Sequence, residues 1–393
     1  MKYKRMKLFL GSLLVAGLLT LGCEDNNQPI LGVDDTDPNP TGGPASSITV
    51  LSPTEGFLKD VVVIQGSGFN TTPGYNLVRF GNKVGTVTAA TATELTVQTP
   101  NLADVTVMVQ VAVKGSEVWS NELPFTFKPT LTVVDSSTEW PNGVDVDDDG
   151  NVYFGATVGE QIIKVTPDGV RSVFADVPVR GAVRFGPGGY LYVCEKWEGK
   201  VVRISPDGAT IEDVAEVSDP VSLDWDADGN LYIVSGDAGI NIMDSGGNLS
   251  YVDLDGASVK NCRVFDGYLY ISKIWDAQIS RFPINGGSLG EEEVYLDTND
   301  DGYSPSSFEF DENGTMYWSH AWDTNLYTLT PDGSTGEVLY EGEMGDPAGS
   351  PLRYMTFHNK SIYAVYPGWG EGGIGQVQSA YIGVMQAPNY GRQ

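Results

Sequence analysis

A period restricts this chain more than any other feature. Strand-like segments ending in an apolar residue and a tyrosine, Gly-x-[Leu/Val/Met]-Tyr in the fullest form, recur at Tyr153, Tyr192, Tyr232, Tyr270, Tyr317 and Tyr363, with spacings of 39, 40, 38, 47 and 46 residues. Fourteen residues after three of these tyrosines stands the same turn, Pro167-Asp168-Gly169, Pro206-Asp207-Gly208 and Pro331-Asp332-Gly333. In it Pro presets φ and Gly takes the left-handed position. Asn285-Gly286-Gly287 and Ser245-Gly246-Gly247 substitute in two other units. A unit of about 40 residues with four short strands is a propeller blade, so residues 130–387 are expected to form a six-bladed β-propeller. The sixth unit ends soon after Tyr381-Ile382-Gly383-Val384, one strand short. Leu131-Thr132-Val133-Val134 is expected to supply that strand and close the ring, because closure removes exposed sheet edges. Residues 388–393 are left as a tail.

Residues 48–129 alternate apolar and polar positions with turn signals every eight to twelve residues, the pattern of a β-sandwich. Strands are expected at 48–50, 61–64, 77–80, 95–98, 105–113 and 123–127. With 48 glycines and 41 aromatic residues in 393, the whole chain reads as all-β.

At the N-terminus Lys2, Lys4, Arg5 and Lys7 precede an apolar run, Leu8 to Leu21, followed by Gly22-Cys23. This is a signal-peptide pattern over residues 1–22, too short for a confident membrane span. Residues 24–47, rich in Asp, Asn, Pro, Gly and Thr, have almost nothing to bury and read as a flexible tether reaching on the order of 30 Å.

Three family resemblances sit on these residues. Thr20-Leu21-Gly22-Cys23 resembles the lipobox of bacterial lipoproteins, which implies acylation at Cys23 and anchoring to a membrane through lipid. Ser52-Pro53-Thr54-Glu55-Gly56, Val63 to Phe69, Val78-Arg79-Phe80-Gly81 and Thr99-Pro100 resemble, in order, an IPT/TIG domain, an immunoglobulin-like sandwich that in surface lipoproteins usually acts as a spacer. Gly66 and Gly68 are expected to supply turn conformations closed to other residues, and Phe69 to plug the core. The six repeats resemble NHL-repeat and gluconolactonase-like propellers. The combination is similar to the accessory lipoproteins of Sus-type outer-membrane nutrient uptake systems, which implies a cell-surface position, glycan capture and an outer-membrane transporter as partner.

In such blades the d–a and b–c loops share one face, the usual ligand face. Five residues after the anchor tyrosine stand Trp197, Trp275 and Trp322, and six after it Trp369. Trp140 and Tyr303, in loops entering two blades, are expected to join them. Indoles stack on sugar rings or apolar side chains, so this face is the candidate for a glycan or peptide ligand. The same indoles would also serve as packing caps or as a docking surface for a protein. Equivalent positions of the first strands read Asp145, Arg184, Asp224, Arg263, Glu309 and Met355. Mutual neutralisation around a narrow channel explains the alternation; an acidic or polar substrate at Arg184 and Arg263, near Arg180, is the rival reading.

Asp297-x-Asn299-x-Asp301-Gly302 is the better placed of three calcium-loop-like runs, although position twelve is Phe308, with the acid one residue late at Glu309. No other cofactor is indicated. Gluconolactonase-like enzymes hold one divalent metal with Glu, Asn and Asp. Asn142 matches that family's Asn motif and Asn261 occupies a similar place, but Arg180-Gly181 and Pro220-Val221 break the pattern. His320, beside Trp322, is the sole candidate general base. No Gly-x-Ser-x-Gly elbow, Cys/His nucleophile pair or phosphate loop is present. A lactonase-like hydrolase and a docking scaffold therefore remain beside the ligand-binding reading. With 23 Lys and Arg against 52 Asp and Glu, a net charge of −29, binding of nucleic acid by a basic face is excluded.

Overall fold

In the computed structural model the described residues are 45–392, apart from 117, 138, 237–238, 348 and 370–372. The leader, Cys23 and the tether up to residue 44 lie outside them. The described chain is all-β, with three single-turn 3-10 helices.

The N-terminal sandwich is built from Ser47–Ser52, Val61–Ser67, Asn76–Phe80, Lys83–Ala90, Glu94–Gln98, Val105–Val113 and Leu123–Phe127, with the two-residue strand Glu55–Gly56 at one edge. Its inward positions Val62, Ile64, Val78, Phe80, Leu95, Val97, Val109, Val111, Phe125 and Phe127 form one core. Phe69 is buried in it, as expected. Lys83–Ala90 is a strand missing from the expected set, because Gly85 and the alanines give it almost no apolar alternation. The two glycines act differently from each other. Gly68 holds φ +77, a left-handed turn position. Gly66 is needed for space instead: a Cβ there would lie 2.0 Å from the Ser47 carbonyl oxygen.

Six antiparallel sheets follow in a ring. Their strands a to d are Pro141–Val146, Val152–Ala156, Gln161–Val165 and Arg171–Asp176 in blade 1; Val183–Phe185, Leu191–Glu195, Lys200–Ile204 and Ile211–Glu216 in blade 2; Pro220–Trp225, Leu231–Ser235, Gly239–Met243 and Leu249–Asp253 in blade 3; Val259–Phe265, Tyr268–Lys273, Gln278–Asn285 and Glu293–Asp297 in blade 4; Pro305–Phe310, Met316–His320, Leu326–Leu329 and Thr335–Leu339 in blade 5. Blade 6 takes Tyr354–His358, Ser361–Tyr366 and Gly375–Tyr381 from the C-terminal end and its outer strand, Leu131–Ser137, from the N-terminal end. Gly375 pairs with Ser137 and Ala380 with Leu131, so the ring closes through the strand the sequence points to.

The anchor tyrosines explain the period. Tyr153, Tyr192, Tyr270 and Tyr317 each pack against an aromatic ring at the end of the next blade's strand a, namely Phe185, Trp225, Phe310 and Phe357, at centroid separations of 4.8 to 5.5 Å. Three of the four pairs are edge-to-face and Tyr270–Phe310 is tilted by 57°; aromatic pairs add about 0.5–1.5 kcal/mol beyond area burial. The hydroxyls of Tyr153, Tyr232 and Tyr317 donate to Asp147, Asp226 and Asp311, which cap the a–b turns of the same blades. Thus the acidic runs from Asp145 and Asp224 are hairpin turns: Asp147 and Asp226 each accept two backbone amides and an asparagine side chain.

The sandwich rests on the ring through one small contact. Phe57 stacks on Tyr381 at 4.0 Å, and Asp60 accepts from the Tyr381 hydroxyl at 2.9 Å and from Lys360 Nζ at 3.2 Å.

Candidate functional site

Each strand a runs down the channel, b returns, and the b–c and d–a loops therefore gather at one end of the ring. The opposite end holds the a–b turns. These two ends and the channel between them have different chemistry.

The channel is filled. Arg184 donates to Asp224 at 3.1 Å and to Glu309 at 3.2 Å, and Arg263 donates to Glu309 at 2.7 Å and to the Met355 carbonyl at 3.1 Å. Asp145 and Asp224 accept the backbone amides of Phe185 and Val264 in the neighbouring blades, at 2.6 and 2.8 Å. All of these charged side chains are buried. Burial opposes the charge on Arg184, and Asp224, Glu309 and Asp145 more than restore it. Arg184 and Arg263 are thus occupied by protein carboxylates, in the arrangement mutual neutralisation requires. Below them Gln386, Ala387, Pro388 and Asn389 cross the channel, leaving a void of about 20 Å³, the scale of a water molecule. Residues 386–389 therefore plug the channel, and the segment left as a tail, 388–393, packs against the ring.

The b–c loops carry the indoles, and these are exposed: Trp197 at 73%, Trp275 at 71%, Trp322 at 60% and Trp369 at 43%, with Trp140 at 42% in the d–a loop of blade 1. They fall into two groups. Trp275 and Trp322, on adjacent blades, lie 6.0 Å apart between ring centroids with planes tilted by 38°. Trp140, Trp197 and Trp369 line a cleft of about 260 Å³ across blades 6, 1 and 2, together with Pro141, Asn142, Thr157, Arg180, Lys196, Arg353 and Pro367. Trp140 holds φ +52, which bulky residues rarely adopt, and Asp219 at the equivalent place in blade 3 holds φ +50. The turn belongs to the repeat; the indole is what blade 1 places on it.

Tyr303 is half-buried and packs edge-on against Trp318, His320 and Tyr327, so it supports the face from beneath. His320 is buried as well, with Nδ1 3.3 Å from Asp323 Oδ2. Its Nε2 is enclosed without a hydrogen-bond partner. Burial opposes ionisation of Asp323, yet His320, Tyr327 and the Asn325 amide hold its carboxyl below the usual range. His320 thus has no open path to a bound substrate.

Asp297 ends strand d of blade 4 and Asn299 and Asp301 follow in the d–a loop before blade 5, but the Asp297 carboxylate faces its own loop. It accepts from the Asn299 amide at 3.0 Å and from Gln278 Nε2 at 3.0 Å. These bonds, the Asn299 backbone amide first, hold it below the usual carboxylate range. Among the described residues no three His, Cys, Asp or Glu side chains form a group that could hold a metal ion. The metal of gluconolactonase-like enzymes also lacks a fitting donor set here. Asn142 and Asn261 each present a buried amide oxygen without a partner. Among the described residues no carboxylate lines the cleft at Asn142, and the chain neighbour of Asn261 is a lysine, Lys260, whereas hard divalent ions take carboxylate-rich oxygen shells.

Three cations went unremarked in the sequence: Lys196, Lys260 and Arg353. Their signal is position, each lying beside a blade mouth in a chain where acids outnumber bases more than two to one. The cysteines Cys194 and Cys262 are free and buried, with burial pushing the Cys262 thiol up to about 12, so neither is a nucleophile.

Residues 46–127 match the IPT/TIG domain family. No curated protein matches the chain. Among solved structures, an auxiliary nutrient binding protein from Bacteroides ovatus ATCC 8483 is similar over 89% of this chain and 99% of its own, at 14% identity and a TM-score of 0.52. A luciferin-regenerating enzyme is similar over 67% of this chain and 99% of its own, at 12% identity and a TM-score of 0.56. A gluconolactonase from Xanthomonas campestris is similar over 63% and 89%, at 16% identity and a TM-score of 0.52. These likenesses define a fold: an IPT/TIG domain followed by a six-bladed β-propeller. The fold is shared by binding proteins and by enzymes, so function rests on the site.

Proposed function

We propose that this chain is a cell-surface lipoprotein whose propeller captures a glycan on its loop face, as an accessory of a Sus-type outer-membrane uptake system. One observation carries the reading: five indoles stand between 42% and 73% exposed in loops that gather at one end of the ring. Indoles held in water need an occupant to justify their placement, and flat apolar faces flanked by hydrogen-bonding groups suit pyranose rings. The plugged channel and the enclosed His320 speak against a hydrolase working through the ring. The Bacteroides ovatus auxiliary nutrient binding protein, similar over 89% of this chain and 99% of its own, supports the reading of nutrient capture. The lipid on Cys23 would anchor the chain, and the tether and sandwich would hold the ring away from the bilayer.

Intrinsic fluorescence of the purified full chain, titrated with neutral and acidic oligosaccharides, tests the reading. A saturable change in the parent that is lost in Trp275→Ala plus Trp322→Ala or in Trp197→Ala plus Trp369→Ala supports it and shows which group binds. A flat response across the panel, with co-purification of an outer-membrane transporter, replaces it with a docking scaffold.

A further inference from the structure

The cleft between Trp140, Trp197 and Trp369 is lined by three cationic residues, Arg180, Lys196 and Arg353, and by no acidic one. In a chain of net charge −29 that is a local inversion of sign. The guanidinium of Arg180 lies 4.2 Å from the Trp197 ring centroid and that of Arg353 lies 5.1 Å from the Trp369 centroid. Each arginine is therefore placed over an indole face, a contact that leaves guanidinium N–H donors for a ligand. Protein carboxylates take up only part of this charge. Lys196 pairs with Asp219 at 3.1 Å, while Arg180 approaches Glu160 only at 4.0 Å. Arg353 has no ion pair among the described residues.

Behind the cleft stands a fourth cation. Lys260 is 5% exposed, lies 5.2 Å from the centroid of the Tyr354 ring, and has no carboxylate within ion-pairing distance among the described residues. Burial, then the nearby Arg353 and Lys196, push its ammonium well below the usual lysine range, with Asp219 opposing. A buried lysine without a paired acid costs stability, and the charges that disfavour its proton are those lining the cleft. An anion arriving at the cleft would relieve both.

We infer that the cleft binds an anionic sugar, a uronate-bearing oligosaccharide whose carboxylate is taken by Arg353 and Arg180 while its ring stacks on the adjoining indoles. The inference rests on the proposed glycan-binding role of this face and names the ligand class. The cleft, about 260 Å³, falls below the ~300–1,000 Å³ typical of sites for drug-sized ligands, which suits one terminal sugar residue at a time.

The test uses matched probes on the purified full chain: trigalacturonate, its fully methyl-esterified form, a glucuronate-containing tetrasaccharide, and pentaglutamate as an acidic peptide. Calorimetric titration is run at 50 and 500 mM NaCl on the parent, on Arg353→Gln and on Arg180→Gln. A uronate binding at least tenfold tighter than the ester, weakened by salt and brought within twofold of the ester by Arg353→Gln, is the expected result. Equal binding of acid and ester overturns the anion inference and leaves the glycan reading standing. Binding of pentaglutamate alone overturns both in favour of a peptide site. Failure of every probe, together with silence toward neutral oligosaccharides, also overturns both.

Discussion

Arg392 Nη2 donates to Asp145 Oδ1 at 2.7 Å, joining residues 247 positions apart. Asp145 belongs to the inner strand of the first blade and Arg392 to the C-terminal 3-10 turn, so this ion pair helps fasten the plug to the ring, together with a longer pair to Asp148 and backbone hydrogen bonds from Ala387 to Phe310 and from Glu312 to Met385. The same carboxylate is fully enclosed and also accepts from the Val146 and Phe185 amides and the Thr356 hydroxyl. Through these bonds Asp145 ties blades 1, 2 and 6 and the C-terminal segment into one network.

Removing that partner leaves a buried carboxylate short of its cation. Arg392→Ala is expected to lower stability by about 3 kcal/mol, the lower end for a broken buried pair because three other donors remain. Urea denaturation of the parent and variant checks this, and Arg392→Lys should recover part of the loss.

Asp145 also sets an acid limit. Burial raises its pKa, but Arg392, then Arg184 and the two amides, bring it below the ordinary value of 3.8. A carboxyl depressed in the folded state stabilises fully above its unfolded pKa and loses that contribution as pH falls through the folded one. Melting temperature should therefore fall steeply below about pH 3.8 in the parent. In Asp145→Asn the curve should start lower at pH 7 and be flatter across that acid range.

Lys260 carries the opposite sign. Its folded pKa is depressed by burial, so the unfolded chain binds its proton more tightly and stability improves as pH rises toward the ordinary lysine value. Lys260→Met is expected to raise the melting temperature at pH 7, by roughly 2–4 °C per kcal/mol recovered in a unit of this size, with the gain shrinking as pH approaches 10. If the anionic-sugar assignment holds, the same substitution weakens uronate binding, which exchanges function for stability.

At the interdomain contact, Asp60 serves both sides. It accepts the Phe57 amide within the sandwich at 2.9 Å while taking Tyr381 and Lys360 from the ring. Phe57→Ala plus Asp60→Ala should leave both units folded but let them move apart. Cleavage by thermolysin in the linker, before Leu131, should then rise severalfold over the parent, and unchanged cleavage would show that the contact does not hold the units together.

Most of the architecture was legible because repeats fix it. The tyrosine period located six blades, and the missing strand of the sixth pointed to residues 131–134, the first half of the strand Leu131–Ser137. Two sandwich strands escaped: Lys83–Ala90, whose residues are small and mostly exposed, and the two-residue Glu55–Gly56, too short to carry a pattern. The site was legible only in part. Position in the repeat placed Trp197, Trp275, Trp322 and Trp369 in corresponding loops, but could not show that they split into a pair and a cleft, which depends on loop shape. Arg184 and Arg263 share a register with their acids, yet only distances decide whether a cation is spent on a neighbour or left for a ligand. Arg353 and Lys260 fell outside the tyrosine alignment, and the C-terminal plug has no repeat to announce it.

The central claim is that the loop face of the propeller captures glycans, and a glycan array probed with the labelled full chain tests it most directly. A companion variant replaces Trp140, Trp197, Trp275, Trp322 and Trp369 with alanine and must match the parent in circular dichroism and melting temperature. The account predicts that the parent binds a defined subset of the array, uronate-bearing glycans foremost, and that the variant binds none. A parent that binds no glycan, or a variant that binds the same subset as strongly, would contradict it.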